Sequence, residues 1–448
     1  MTVEEEIRRR IRERGTITFA EFMDLALYWP KGGYYSGPQS IGMSGDFYTS
    51  SHVHPAFGAL LALQLHQMWQ LLGEPDTFTV VEMGAGNGLL CRDLVTYATN
   101  LPGGFSRSLR YVCLDRTGTS GVEREISMKS EIPPEIPPEI PPEIPPEIPM
   151  VARIAAMFRP HAPLEGQHRG IPLRGIKGCF LSNEFLDAFP VHQVTLVEGS
   201  LQEVYVSLRD GELATTLGEP STPALAARLD ALGIALAEGQ TAEISLGTEA
   251  WVSQVAESLD SGFVLTIDYG HLAADLYSPD RRRGTLTTYY RHTQTDSPLQ
   301  RIGRQDITAQ VDFTTVIDAG CRSGLEPMGF TTQRRFLTNL GLEEFRRGLR
   351  PLGLSQGRFL ANNAGMLDLA RAGGLGDFKV LAQGKNVGGS DLWGFAASAQ
   401  AAALARELPV PLLKEDHLPL LEGRYPHAGM EFDESWTFGQ DVPEHGQP

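Results

Sequence analysis

A glycine-rich turn at residues 84–88 is the first feature of this 448-residue sequence that could bind a ligand. It follows residues 77–83, an apolar and β-branched run typical of a buried strand, and it precedes a helical pattern at residues 89–97. Glycines let the backbone approach a ligand closely, and the start of a helix offers free amides. Asp115 ends the next predicted strand, where a carboxylate can accept both hydroxyls of an adenosine ribose. The spacing therefore predicts an adenosine-binding site.

The spacing of the glycines narrows the choice of ligand. A dinucleotide fingerprint needs a glycine at position 89, where this sequence has Leu89, so a nicotinamide-dependent oxidoreductase is disfavoured. Glu82 would repel a pyrophosphate but suits the ammonium group of a methionine moiety. A tight turn without a ligand is the alternative, which Asp115 makes less favourable. The candidate cofactor-binding residues are Glu82, Gly84, Gly86, Gly88, Asp115 and Asn183.

Carboxylates collect after a later strand pattern, where Asn183, Glu184 and Asp187 lie close together in the sequence. Open α/β sheets bind their ligands at the carboxyl ends of their strands. Because carboxylates pair with a planar guanidinium in bidentate fashion, Glu184 and Asp187 are predicted to orient a cationic substrate. Asp46, in a loop rich in glycine and small polar residues, is predicted to close over the cofactor. The candidate catalytic residues are Glu184, Asp187, Asn183 and Asp46.

A purely structural role competes with a chemical one at several polar positions. Asp187 could cap the helix turn that follows it, and Asp46 could stabilise a turn. His192 could take up a proton, although a hydrogen-bonded structural role is favoured. Residues 281–283, three consecutive arginines, are expected to form a solvated turn.

The elements that must position these residues alternate between strand and helix. Strand patterns at residues 77–83, 110–114, 178–183 and 262–267 are typical of a parallel sheet covered by helices. We therefore expect an α/β fold, a Rossmann-like doubly wound sheet with helices on both faces. A helical pattern over residues 4–28 predicts an N-terminal helical cap.

Two stretches interrupt this order. Residues 191–210 alternate like an antiparallel hairpin and residues 223–237 like an amphipathic helix, which predicts an inserted α+β element over residues 191–250. Residues 131–149 repeat the tetrapeptide EIPP, whose two prolines per repeat exclude helix and ladder pairing and predict an extended spacer. The predicted division of the chain is 1–55 (cap and lid loop), 56–130 (first half of the cofactor domain), 131–149 (linker), 150–270 (second half with its insertion), 271–398 (C-terminal part) and 399–448 (a tail without a predicted role).

The composition excludes several classes of protein. The formal net charge of −17 disfavours a nucleic-acid partner and favours a basic protein substrate. No run of 18 apolar residues is present, so no membrane span is expected. The acidic N-terminus lacks the features of a transit peptide, which favours a cytoplasmic location in a bacterium, or a mitochondrial matrix location only for a processed chain. The cysteines form no CxxC pair, so we expect no metal site, and Cys113 and Cys179 should be buried thiols.

A series of motifs resembles the MidA-like family, also called the mitochondrial complex I assembly factor arginine methyltransferases. Each motif alone is of moderate specificity, but together they occur in the family's order from about residue 15 to about residue 396. The motifs are residues 17–23 (ITFAEFM), 33–35 (GYY), 45–50 (GDFYTS), 81–89 (VEMGAGNGL), 183–192 (NEFLDAFPVH), 267–270 (IDYG), 306–313 (DITAQVDF), 332–333 (TQ) and 336–337 (FL).

The resemblance implies a class I, Rossmann-like methyltransferase that uses S-adenosylmethionine and acts on arginine in a protein. It also implies a respiratory complex I-type subunit as the partner. The chain departs from the family pattern at a few positions: Ser51 and His52 replace a Pro-Glu pair, Ala85 and Asn87 stand in the glycine turn where the family has proline and arginine, and Asp115 replaces a glutamate. The altered turn leaves a second possibility open, an assembly factor that binds the cofactor with weak or no catalysis.

Overall fold

The computed structural model describes most of the chain, and the predicted spacer and the lid residue Asp46 lie outside the described residues. The described residues are 1–36, 49–115, 150–155, 167–168, 171–172, 174–290, 293–389, 391–414 and 416–417. Their α-helices are α1 (Val3–Arg14), α2 (Phe19–Tyr28), α3 (Ser50–Val53), α4 (Ala56–Leu71), α5 (Leu89–Ala98), α6 (Phe105–Ser108), α7 (Ala224–Ala231), α8 (Gly247–Ser258), α9 (Ala273–Leu276), α10 (Phe313–Arg322), α11 (Gln333–Asn339), α12 (Leu342–Gly348), α13 (Gln356–Leu369) and α14 (Ala399–Glu407). Short 3₁₀ helices span Tyr34–Ser36, Arg350–Leu352 and Leu375–Asp377.

A seven-stranded sheet forms the centre of the fold. Its strands, numbered in chain order, are β1 (Phe78–Met83), β2 (Leu109–Asp115), β3 (Met150–Ala155), β4 (Ile176–Asn183), β5 (Leu259–Asp268), β6 (Glu326–Thr332) and β7 (Lys379–Lys385). They lie in the order β6-β7-β5-β4-β1-β2-β3. The first five strands in the chain are parallel, whereas β7 runs antiparallel to both β5 and β6. The predicted doubly wound sheet is confirmed, and the antiparallel β7 adds a feature that the strand patterns did not predict.

Side chains of the sheet alternate between two cores, because successive strand residues point to opposite faces. Val80 of β1 packs in the core that includes helices α4 and α5, and Val81 packs in the core that includes α8 and α10. Met68 and Trp69 of α4 are buried, as their helical spacing predicts. Helices therefore cover both faces of the sheet.

The predicted N-terminal cap is two helices rather than one continuous helix over residues 4–28. α1 ends at Gly15, whose φ of +84° lets the chain change direction. Ile17–Thr18 then pairs antiparallel with the strand Ser200–Arg209, before α2 begins. The cap is thus attached to the inserted element by a strand as well as by packing.

The predicted insertion forms a five-stranded antiparallel sheet with the cap. The strands are Ile17–Thr18, His192–Val197, Ser200–Arg209, Glu212–Gly218 and Thr241–Ile244. The predicted hairpin is confirmed by the pairing of the second and third of these strands. The helix predicted over residues 223–237 ends earlier, at Ala231, because Gly233 adopts a φ of +65° that a helix cannot continue through.

Smaller elements complete the described part of the chain. The remaining strands are Gln167–His168 with Ile171–Pro172, Gly270–His271 with Val311–Asp312, and Thr287–Tyr290 with Thr293–Thr295 and Asp306–Thr308. Ala401 of α14 is buried in the core, and His417 is buried with its Nε2 2.7 Å from Asp93 Oδ2 on α5. Part of the predicted tail is therefore packed. Among the described helices, none has the length and apolarity that a membrane crossing requires.

The close approach of the central strands depends on Gly178 in β4 and Gly262 in β5. A Cβ at Gly262 would overlap the carbonyl oxygen of Gly178, and a Cβ at Gly178 would overlap that of Thr79. We expect Gly262→Ala to lower the free energy of unfolding by at least about 2 kcal/mol, because the neighbouring backbone cannot move aside without breaking the ladder.

Denaturant unfolding of Gly262→Ala beside Gly388→Ala measures this cost. A Cβ at Gly388 meets nothing within 4 Å, so that control should unfold like the parent protein. Equal midpoints for the two variants would show that the strands can separate locally.

Candidate active site

The glycine turn lies between the carboxyl end of β1 and the start of α5, where the strand order of the sheet reverses. Gly84, Gly86 and Gly88 have φ angles of +72°, +52° and +80°, a left-handed backbone that favours glycine. The Gly84 N–H donates to the carbonyl of Leu114 at the end of β2 (2.8 Å). The turn therefore places the start of α5 at the edge where open α/β sheets bind their ligands.

The segment of residues 184–187 follows β4 and packs against the glycine turn. A Cβ at Gly84 would lie 2.6 Å from the ring of Phe185, so the two loops are in close contact. Asp268, the last residue of β5, is fully buried, and its carboxylate accepts hydrogen bonds from the N–H groups of Phe185 (3.0 Å) and Leu186 (2.9 Å). Asp268 thus positions the segment that holds the predicted substrate ligands.

Glu184 has an unusual backbone and two hydrogen-bond donors. Its φ is +50°, which is uncommon for a residue other than glycine. Its Oε1 accepts hydrogen bonds from the N–H of Ser50 (3.0 Å) and from Nδ2 of Asn183 (3.1 Å). Burial and, to a smaller extent, the neighbouring Asp187 raise the pKa of the Glu184 carboxyl to about 8, although the two donors act to lower it. A carboxyl with this pKa exchanges a proton near neutral pH.

Asp187 is buried beside Glu184 and is 6% exposed. The hydroxyl of Tyr269 donates to its Oδ2 over 2.6 Å. Burial raises the pKa of the Asp187 carboxyl to about 6, and the Tyr269 hydrogen bond opposes this increase. Its Oδ1 is buried and has no hydrogen-bond partner among the described residues, so it is an acceptor that a ligand could satisfy.

A cavity of about 500 Å³ opens beside these carboxylates. Its acidic lining consists of Glu184, Asp187, Asp306 and Asp377. Asp306 is buried and accepts a hydrogen bond from the hydroxyl of Tyr35 (2.8 Å), whereas Asp377 is exposed. Its aromatic lining consists of Tyr269, Tyr289 and Phe378. Carboxylates bind a planar cation through charge-assisted hydrogen bonds, and aromatic faces attract it. The cavity is therefore suited to a flat, positively charged group.

Residues 49–54 connect the cavity to the glycine turn. The N–H of Ser50 binds Glu184, as described above, and Nε2 of His52 lies 3.0 Å from Nδ2 of Asn87 in the turn. Burial lowers the pKa of His52 to about 4, so the ring is neutral at pH 7 and can accept the Asn87 amide hydrogen. Two of the departures from the family pattern, at positions 52 and 87, thus contact each other.

The residues predicted to bind the cofactor lie in different surroundings. Glu82 is buried in the core, where its Oε2 accepts a hydrogen bond from the hydroxyl of Tyr111 (3.0 Å), and its contact with a cofactor ammonium stays a prediction. The side-chain Oδ1 of Asn183 is buried without a partner among the described residues, which leaves an acceptor beside the turn. Asp115 ends β2 as predicted, although its side chain, like Asp46, lies outside what the structure describes.

The structure also adds residues that the sequence patterns missed. Asp306, Tyr289 and Phe378 line the cavity, and only Asp306 stood within a recognised motif. For Tyr289, the available sequence signal was the pair of adjacent tyrosines at positions 289 and 290, which lie on one strand of a small sheet. Sequence spacing offers no comparable signal for Phe378.

Three polar residues have structural roles. His192 Nδ1 lies 2.7 Å from Oε1 of the buried Glu203, in line with the structural role favoured for it. Asp312 caps α10 by accepting hydrogen bonds from its first N–H groups. The predicted solvated turn agrees with the exposed Arg282 and Arg283, whereas Arg281 is half-buried, with its Nη2 2.9 Å from Nε2 of His271, a residue of the cavity lining.

Known proteins resemble this chain in sequence. A family model of S-adenosyl-L-methionine-dependent methyltransferases, Methyltransf_28, matches residues 60–331. The protein arginine methyltransferase NDUFAF7 homologue, mitochondrial, of Drosophila melanogaster is 29% identical over 322 residues, 69% of this chain and 68% of the relative. The protein arginine methyltransferase NDUFAF7, mitochondrial, of Danio rerio is 28% identical over 340 residues, 75% of each chain.

A solved structure is similar over nearly the whole fold. It is a COG1565 superfamily member from Burkholderia thailandensis, crystallised with S-adenosyl-homocysteine. Its TM-score is 0.74 at 29% sequence identity, and the match covers 88% of this chain and 94% of that chain. The residues matched by the family model include the glycine turn and residues 183–187.

Replacing Gly84 tests the turn as the cofactor site. Gly84→Val should abolish S-adenosylmethionine binding in calorimetry with the fold intact, because the new side chain overlaps Phe185 and forces the turn away from its left-handed backbone. Gly73→Val is the matched control, since Gly73 has a φ of +78° and open space around its Cα. Unchanged affinity in Gly84→Val would remove the turn from the cofactor site.

Proposed function

The chain belongs to the Methyltransf_28 family of S-adenosyl-L-methionine-dependent methyltransferases, and on this premise we propose that it methylates an arginine side chain of a protein. Its cofactor is S-adenosylmethionine. The cavity beside the glycine turn is the observation that carries the choice of arginine. Four carboxyl groups and three aromatic rings are part of its lining, which matches a planar guanidinium better than a small neutral nucleophile.

The residues that would hold the cofactor fit its parts. The left-handed turn of Gly84, Gly86 and Gly88 brings backbone close to a ligand, and Asn183 presents a buried acceptor without a partner among the described residues. Asp115 is the proposed ribose ligand. When bound, the cofactor supplies a sulfonium methyl group, whose S–C bond breaks as the guanidinium nitrogen forms its N–C bond.

The carboxylates would perform the rest of the chemistry. Glu184 and Asp187 would accept hydrogen bonds from the guanidinium and hold one of its nitrogens toward the glycine turn. The attacking nitrogen loses one proton, and a carboxylate with a raised pKa is a better acceptor for it than an ordinary one. Tyr269 would keep Asp187 in place through its 2.6 Å hydrogen bond.

Finer aspects of this function are proposals drawn from the relatives. Both curated relatives are named protein arginine methyltransferases, which supports a protein substrate for this chain. The family resemblance makes a respiratory complex I-type subunit the first partner to test, and a cytoplasmic location in a bacterium the first location. A cofactor-binding assembly factor with weak catalysis is the second candidate, because Ala85 and Asn87 alter the glycine turn.

Methyl transfer into a lysate separates these two functions. The lysate comes from a strain that lacks the protein, and isotope-labelled S-adenosylmethionine is supplied with the purified chain. Mass spectrometry should find labelled methylarginine in a defined protein. Cofactor binding without label in any protein would favour the assembly factor, and label on another side chain would overturn the arginine proposal.

Substitution of Glu184 should separate substrate binding from cofactor binding. Glu184→Gln keeps the shape but removes the charge that the carboxyl group carries above its pKa of about 8. Measured above that pH, loss of one charge-assisted contact costs roughly 1.5–3 kcal/mol, or about 10- to 150-fold in rate. Titration with S-adenosylmethionine should be nearly unchanged, because the glycine turn carries that binding. If Glu184→Gln instead abolishes cofactor binding, the residue belongs to the cofactor site. Normal rates in this variant would shift the guanidinium contact to Asp187 or Asp306.

The rate of methyl transfer should also depend on pH, because the pKa of Glu184 is raised. With a pKa of about 8, Glu184 is mostly protonated and neutral at pH 7, whereas an arginine substrate stays charged. We therefore expect kcat/KM to increase as pH rises through about 8. Glu184→Gln should lose this dependence and keep an increase near pH 6, where Asp187 ionises. A profile without a step near 8 in the parent protein would contradict the role of Glu184.

A further inference from the structure

The lining of the cavity contains basic as well as acidic side chains. The carboxyl groups of Asp187 and Asp306 are buried, His271 and Lys379 are half-buried, and Arg371 and Asp377 are exposed. Arg281 adjoins them, with an Nη2 2.9 Å from Nε2 of His271. We call His271, Lys379 and Arg281 the basic rim.

The groups of the basic rim lie close enough to disturb one another. Burial lowers the pKa of His271, and Arg281 and Lys379 lower it further by repulsion. Burial also lowers the pKa of Lys379, where Arg281 adds to the effect, while Asp377 and Asp275 partly offset it. The lowered pKa keeps His271 neutral at pH 7, so Lys379 and Arg281 supply the positive charge of the rim, in a chain whose formal net charge is −17.

No described carboxylate forms an ion pair within 4.0 Å with Lys379 or Arg281. Lys379 Nζ donates to the backbone carbonyl of Asp377 (2.8 Å). The carboxylate of Asp377 is already engaged by Arg334 (3.0 Å) and by a backbone N–H. Arg281 binds only neutral groups among the described residues, the side chains of His271 and Gln310. The positive charge of the rim is thus left for another partner.

We propose that the basic rim binds a carboxylate of the substrate, so that the substrate is a peptide segment with an acidic residue close to its target arginine. This proposal rests on the proposed function of the same cavity. A cavity of about 500 Å³ holds only a few side chains, so both charges must come from one short segment. Separate acidic and basic contacts would also set the direction in which that segment binds. The overall acidity of the chain alone would favour a uniformly basic partner instead.

Three synthetic peptides test the rim directly. Each has a central arginine in a glycine-serine background, and one position within four residues of it is Glu, Gln or Lys. Calorimetry on the protein loaded with S-adenosyl-homocysteine measures binding without requiring turnover. The Glu peptide should bind about tenfold more tightly than the Gln peptide, as a half-buried charged contact implies.

Variants of the rim supply the controls. Lys379→Gln should erase the difference between the Glu and Gln peptides, and Lys379→Glu should reverse it in favour of the Lys peptide. Arg283→Gln removes an exposed arginine of the same turn and should leave the Glu preference unchanged. Circular dichroism and melting of each variant confirm that it is folded.

The outcomes separate this inference from the function on which it rests. A Glu preference that Lys379→Gln erases supports the rim, and if the bound peptides then receive no methyl group on arginine, the proposed function alone is contradicted. Equal affinities for the Glu and Gln peptides, or no binding of any peptide, overturn the rim. Methylarginine in the peptides would support the proposed function in either case.

Discussion

The carboxylate of Asp268 holds the active-site loops together. It accepts hydrogen bonds from three backbone N–H groups, those of Phe185, Leu186 and Tyr269. These bonds join the end of β5 to the loop that follows β4, across the boundary between two neighbouring strands. They support the left-handed backbone at Glu184, whose own N–H donates to the carbonyl of Ile267 (2.9 Å), and they help to keep Tyr269 in contact with Asp187.

Burying the carboxylate of Asp268 costs free energy, and the nearby backbone N–H groups offset part of this cost. Burial and Asp187 raise the pKa of Asp268, while its backbone donors act in the opposite direction. The arrangement puts a hydrogen-bonded carboxyl group behind the loop and leaves Glu184 and Asp187 to face the cavity. Asp268 thus positions the loop, whereas Glu184 and Asp187 are the carboxyl groups whose protonation can change during the reaction.

Local patterns were sufficient to predict the residues that lie at strand ends. The glycine turn, Glu184 and Asp187 follow apolar runs directly, and parallel strands bring their carboxyl ends to one edge. Phe378 and Lys379 could not be predicted in this way, because they reach the cavity through the antiparallel β7, which comes from the far end of the chain. The break at Gly15 was missed because helical spacing continues on both sides of it.

Residues 49–54 contact both Glu184 and the glycine turn. One end of this short segment donates to the Glu184 carboxyl group through the N–H of Ser50, and His52 contacts Asn87 in the turn. If the cofactor and the protein substrate both contact this segment, their binding is thermodynamically linked. The factor by which one ligand changes the affinity for the other must then be the same in both directions. A protein partner that raises the affinity for the cofactor through this segment would therefore itself bind more tightly, by the same factor, when the cofactor is present.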